Sequence, residues 1–114
     1  MLVVCFPAIS FADIYFCQSK QGAFVTPETF RGGDDPDEQV SFVVDTSRGI
    51  KAVEGSDEYS GTCDIRPIAV NCFAQDGNKA TMLNIWPETL EFDFAVFSSE
   101  SAGFAVFAGT CTKA

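Results

Sequence analysis

The sequence predicts an all-β domain: an antiparallel meander that closes into a small barrel of about eight strands, or folds into a sandwich, held by two disulfides. Three observations carry that expectation. Apolar and polar side chains alternate with period two over most of the chain beyond residue 39. Turn-forming residues interrupt the alternation about every ten to twelve positions, leaving little room for helices. Twelve Phe in 114 residues are a large supply of side chains suited to a pleated, half-buried surface.

The first twelve residues read as a signal peptide ahead of a single domain at 13–114. Leu2-Val3-Val4-Cys5-Phe6-Pro7-Ala8-Ile9 is a short apolar run, and Ser10-Phe11-Ala12 supplies small residues at −3 and −1 of a cleavage site. No Lys or Arg precedes the run, so the competing reading is a first strand over residues 2–6. No later stretch approaches the ~20 apolar residues that a membrane-spanning helix needs, so no stable membrane insertion is expected after signal cleavage.

Residues 14–19 alternate, with Tyr15, Cys17 and Ser19 on one face and Ile14, Phe16 and Gln18 on the other. Residues 26–39 break the pattern. Pro27, Gly32, Gly33 and Pro36 interrupt any long element, and Asp34, Asp35, Asp37 and Glu38 make the segment acidic. A surface loop is expected there, with one helical turn begun by Thr26 and Pro27. Strands follow at 40–44 and 50–53, joined by a turn with Asp45 near its start and Gly49 at its left-handed position. Residues 54–62 read as a loop. Residues 65–74 form an extended run, Asp76-Gly77 marks a hairpin, and 80–86 returns. In that returning strand Met82, Asn84 and Trp86 oppose Leu83 and Ile85. Pro87 makes a corner, and residues 90–97 set Leu90, Phe92, Phe94 and Val96 against Glu91, Asp93 and Ala95. After a polar loop, a last strand over 104–112 carries Cys111.

Removing Cys5 with the signal leaves Cys17, Cys63, Cys72 and Cys111, an even set that in a short exported chain reads as two disulfides. Of three pairings, Cys17–Cys111 with Cys63–Cys72 is preferred. The first would join the opening and closing strands, and the second would close a short loop between neighbours. Cα separations near 5–6 Å are expected. Chain entropy makes the long closure worth about 4–5 kcal/mol and the short one somewhat under about 3 kcal/mol. The spacings contain no C-x-x-C pair, so no zinc site is expected.

The formal net charge is −9, from seven basic and sixteen acidic residues, with no Lys/Arg cluster. That excludes a nucleic-acid binder and opposes docking on anionic membranes, and it suits a basic protein partner. There is no histidine, which removes the commonest general base and metal ligand and with them Ser-His-Asp and Cys-His catalysis. Glu91 and Asp93 sit about 7 Å apart on one strand face, a spacing a glycosidase could use, but a solvated face explains them better. Asp34-Asp35-Pro36-Asp37-Glu38 lacks the EF-hand spacing and reads as a solvated loop. No enzyme, cofactor or metal is expected. Trp86 and Tyr59 are the aromatic candidates for a partner anchor.

Tyr15-Phe16-Cys17 near the start and Gly109-Thr110-Cys111-Thr112-Lys113 at the end resemble the terminal strands of small exported bacterial β-domains. In layout the chain resembles the membrane-bound and periplasmic inhibitors of C-type lysozyme, antiparallel barrels tied by a disulfide between their two ends. That family enters the lysozyme cleft with a Ser-Gly-x-x-Tyr loop. This chain has Gly55-Ser56-Asp57-Glu58-Tyr59, with Gly and Ser transposed. The family also presents a lysine, for which Lys79 in its hairpin turn is the counterpart. The resemblance therefore implies Ser56, Tyr59 and Lys79 as partner contacts and a basic protein such as a lysozyme as partner. Asp57 and Glu58 depart from what an acidic cleft would accept.

The sequence thus points to a non-enzymatic exported protein, periplasmic or extracellular, that binds a partner or associates with the envelope. The first alternative is an inhibitor of a cell-wall hydrolase. The second is a carrier of a small apolar ligand, with inward Phe side chains lining a cavity. Ten Phe beyond residue 12 could instead fill a small barrel completely.

Overall fold

A computed structural model describes residues 13–52, 58–100 and 102–114. The expected signal peptide at 1–12 and the positions 53–57, Ser56 among them, lie outside the described residues. The strands are β1 (Ile14–Val25), β2 (Phe30–Gly33), β3 (Ser41–Asp45), β4 (Gly49–Ala52), β5 (Thr62–Ile65), β6 (Val70–Asp76), β7 (Lys79–Trp86), β8 (Glu91–Ser98) and β9 (Phe104–Lys113). They pair antiparallel in the order β4-β3-β1-β9-β8-β7-β6-β5, and β2 adds to the second half of β1. The eight strands of that path form a nearly closed barrel, the all-β architecture the alternation predicts.

The barrel closes where Ile50 and Ser60 exchange two backbone hydrogen bonds of 2.9 Å. The residues beside them must be glycine. Gly49 and Gly61 have φ of +110° and +84°, and a Cβ on either would lie 2.1 Å from the Ser60 carbonyl oxygen or 2.3 Å from that of Phe73. Only residues without a side chain let the two edges approach this closely.

Three local expectations change. Thr26 does not begin a helical turn. Its Oγ1 accepts from the Thr29 N–H at 3.0 Å, closing a tight turn that lays β2 along β1. Proline and glycine hide that strand from a propensity reading, but the long overhang of β1 offers it a free edge. The one helical turn of this stretch is the 3-10 turn Pro36–Glu38, capped by the Asp35 side chain. The extended run at 65–74 is broken by a turn in which the Arg66 N–H donates to the Ala69 carbonyl at 2.8 Å. Cys63 consequently lies within β5. Leu90 sits in the turn before β8 with φ of 61°. Core packing holds it there, and its carbonyl accepts the Cys111 N–H at 2.7 Å.

Strand parity divides inside from outside. Tyr15, Cys17, Val44, Ile50, Val70, Leu83, Ile85 and Phe92 are buried in one core cluster. Cys17–Cys111 and Cys63–Cys72 are the disulfides, each joining direct cross-strand partners. Their Cα separations are 4.0 Å, closer than expected. For Cys17–Cys111 the reason is the ladder. The Cys111 N–H points away from β1, toward Leu90, so the pair is of the non-hydrogen-bonded kind, whose Cα atoms approach most closely. Two structural disulfides are typical of exported chains. Among the described residues no helix is long and apolar enough to cross a membrane.

The phenylalanines do not fill the barrel. Phe24, Phe42, Phe92, Phe94 and Phe107 are buried or half-buried, whereas Phe16, Phe30, Phe73, Phe97 and Phe104 are exposed. Neighbouring strands place their even- and odd-numbered residues on opposite faces, so aromatic abundance alone does not say which surface is lined.

Three outcomes follow from this arrangement. Replacing Cys17 and Cys111 with Ala should lower stability by about 4–5 kcal/mol, and replacing Cys63 and Cys72 by about 2.5 kcal/mol, in urea denaturation. Gly61→Ala should cost about 3 kcal/mol by forcing the seam open. Burial raises the Tyr15 phenol above its ordinary 10.0, opposed by Lys113 and reinforced by Asp13. Above that pH the unfolded chain releases its proton before the folded one does, so stability should fall as pH rises past 10.0, and ultraviolet titration should find Tyr15 ionising late.

Candidate functional site

One end of the barrel carries the β4–β5 connection, the β6–β7 turn, the β8–β9 loop and the turn between β1 and β2. Towards this end the inward side chains shrink. Along β6 they run Val70, Cys72, Ala74; along β7, from the opposite direction, Ile85, Leu83, Thr81; along β4, Ile50, Ala52. Large side chains pack the far end, and small ones do not span the same diameter. The remainder is a cavity of about 510 Å³, bounded by Ile50, Ala52, Ser60, Ala74, Thr81 and Phe94.

A row of aromatic rings connects this cavity with the core. Phe24 meets Phe107 edge-on at 5.7 Å, Phe107 meets Phe94 at 6.1 Å, and Phe94 stacks on Phe42 at 4.9 Å. Phe42 in turn meets Phe92 at 5.1 Å. Such pairs hold rings in fixed geometry beyond what area burial supplies, so the aromatic wall is rigid. No charged residue lines the cavity among the described residues. Ser60 and Thr81 are hydroxyl-bearing residues of the lining.

The residues expected to contact a partner fall elsewhere. Ser56 is outside the described residues. Tyr59 is half-buried, and its ring lies under the Arg48 guanidinium at 4.5 Å and the Lys51 ammonium at 5.4 Å. Both cations come from the neighbouring side of the seam, where Ser60 faces Ile50. Lys79 is exposed at the start of β7, beside a turn fastened to the next loop by Ser99 N–H to Asn78 carbonyl and by Asn78 to Glu100. Lys79 thus belongs to the same end of the barrel as the cavity, whereas Tyr59 lies at the seam, next to Ser60 in sequence and against Arg48 of the β3–β4 turn. Trp86 belongs to the other end, on the outer face, and forms no joint anchor with Tyr59.

Glu91 and Asp93 are exposed on the outside of β8, and Asp93 accepts a hydrogen bond from Asn84 at 2.9 Å. In the acidic segment, Asp35 caps the 3-10 turn and Glu38 pairs with Arg31 at 3.2 Å. Among the described residues no three His, Cys, Asp or Glu side chains converge as metal ligands.

The sequence offers a ligand cavity only as an alternative lined by inward Phe; the walls come from six separate segments, residues 39–42, Ile50 with Ala52, Ser60, Ala74, Thr81 and Phe94. The signal that could have found it is the step from large to small along the inward face of several strands at once. Comparison with protein-family models, with curated proteins and with solved structures gives no match.

Because Phe94 both stacks on Phe42 and walls the cavity, Phe94→Ala should cost about 3 kcal/mol in urea denaturation. A loss below about 1 kcal/mol would mean that the aromatic row does not support this end of the barrel.

Proposed function

We propose that this protein is a non-enzymatic exported binding protein that takes a small, neutral, mainly apolar ligand into the tapered end of its barrel. The single observation that carries the reading is the cavity: its 510 Å³ falls within the range of small-molecule sites, and its described walls are apolar or neutral. None of the described lining residues is charged, which suits a neutral ligand better than a charged one. The Ser60 and Thr81 hydroxyls suit a ligand with one or two polar atoms at one end of an apolar body. Two disulfides support a working environment outside the reducing cytosol, periplasmic or extracellular.

The hydrolase-inhibitor reading requires Tyr59 to be presented to a partner. A ring covered by Arg48 and Lys51 would first have to leave two cation–π contacts, each worth about 0.5–1 kcal/mol at an exposed site. The carrier reading asks for no such rearrangement.

The test uses N-phenyl-1-naphthylamine, an uncharged fluorophore. It should bind with one site per barrel, and Thr81→Leu, which fills the cavity from β7, should weaken binding by about tenfold or more. Val106→Lys, on the outer surface, should leave it unchanged. Equal affinity in the wild type and Thr81→Leu, with both folded by circular dichroism, would remove the cavity as the binding site.

A further inference from the structure

The two disulfides differ in what surrounds them. Cys17 and Cys111 are both buried, 3% and 4% exposed, on strands flanked by β3 and β8. Cys72 is buried as well, at 4%, but its partner Cys63 is only half-buried. Cys63 stands on β5, the last strand of the path. Among the described residues the outer side of β5 has no strand neighbour beyond the single bridge at Ser60.

The β5 strand is also weakly held. It is four residues long, and its ladder joins β6 alone, from Thr62 opposite Phe73 to Ile65 opposite Val70. The Cys63–Cys72 bridge is the covalent tie in that ladder. Three residues before Cys63 lies Ser60, which closes the barrel against Ile50 and lines the cavity. Two residues after Cys72 lies Ala74, another part of the lining. With the tie in place, the chain that leads from the seam into β5 is fixed to β6. Without it, a short edge ladder is held by hydrogen bonds alone, and such segments open at the low end of a protein's local stability.

We infer that Cys63–Cys72 is a redox latch: a dithiol reductant cleaves it in the folded protein, leaves Cys17–Cys111 intact, and so releases the seam at Ile50 and Ser60. Exchange requires a thiolate to reach one sulfur of the bridge, and of the four bridged cysteines only Cys63 offers an approach from solvent. One thiolate of the reductant attacks the Cys63 sulfur and forms a mixed disulfide. Cys72 leaves as a thiolate and takes up a proton. The reductant's second thiol loses its proton and attacks the reductant's sulfur in the mixed disulfide, and Cys63 leaves and is protonated in turn. One S–S bond breaks in this chain and one forms in the reductant, while two electrons and two protons pass to Cys63 and Cys72. The consequence for the cavity rests on the ligand-binding reading: a released seam withdraws Ser60 from the wall, and the ligand is held less tightly. The latch itself does not depend on that reading.

The test treats the folded, oxidised protein with dithiothreitol, blocks free thiols with N-ethylmaleimide and maps the labelled peptides. Cys63 and Cys72 should be labelled together, about tenfold or more faster than Cys17 and Cys111. Hydrogen exchange should then find the Ile50 and Ser60 amides, which donate across the seam, exchanging about tenfold faster in the reduced protein. The Cys111 amide, bonded to Leu90, should keep its protection. Cys63→Ala combined with Cys72→Ala should show the fast seam without reductant. Reduction of both bridges at one rate, or of neither before unfolding, would overturn the latch. So would seam amides that stay protected in the reduced protein and in the double variant. None of these readouts uses a ligand, so they stand or fall apart from the cavity. N-phenyl-1-naphthylamine should bind the reduced protein about fivefold or more weakly than the oxidised one, and equal binding to both would overturn the link between latch and cavity.

Discussion

The pairing of β1 with β9 joins the two halves of the molecule. On one side of it lie β3 and β4, on the other β8, β7, β6 and β5; among the described residues the only other backbone pairing between the two sides is the short seam at Ile50 and Ser60. Its ladder runs from Tyr15 opposite Lys113 to Val25 opposite Phe104, with one irregularity between Ser19 and Gln21. A disulfide at Cys17 and Cys111 clamps the register near one end. A one-residue slip in such a ladder would exchange the inner and outer faces of a strand. The bridge forbids that slip. It also removes a loop of 94 residues from the conformational freedom of the unfolded chain, which matters in a domain with a small core.

Once register is fixed, side-chain size decides what the interior can hold. Tyr15, Leu83, Ile85 and Phe92 pack one end, the end at which Asp13 and Ala114 lie. At the other end Ala52, Ala74 and Thr81 leave space, while Phe94 and Phe42 keep one side of it firm. The same barrel is therefore densely packed at one end and carries a cavity at the other.

The same alternation governs the outer surface. Residues that follow an inward Phe, Thr or Ala are themselves outward, and in the upper half of the barrel many of these are apolar too. Among the described residues, most acidic side chains stand in loops, turns and the lower rows. Asn71, Asn84 and Asp93 form a hydrogen-bonded polar row directly below Phe73, Met82 and Val106, so the change from apolar to polar happens within one strand repeat, about 7 Å.

What the sequence determined by itself was local and periodic. Alternation marked the first half of β1, β7 and β8 and sorted their faces, because period-two burial is written along these strands, and β3 and β9 were legible as strands without their faces. Asp45 with Gly49, and Gly77 after Asp76, marked turns through their own backbone preferences. The even cysteine set and the position of its members in opening, closing and neighbouring segments pointed to both bridges. Tyr59 and Lys79 were legible as belonging to connections, but not the cations over Tyr59, which come from across the seam. Only the tertiary structure decided the rest. The β2 strand exists because β1 overhangs its neighbour, which no property of Phe30–Gly33 reveals. The cavity exists because small residues on β4, β6 and β7 arrive at one height. Those are matters of register between segments far apart in the chain, and register is set by the pairing of whole strands, not by any residue's own preference.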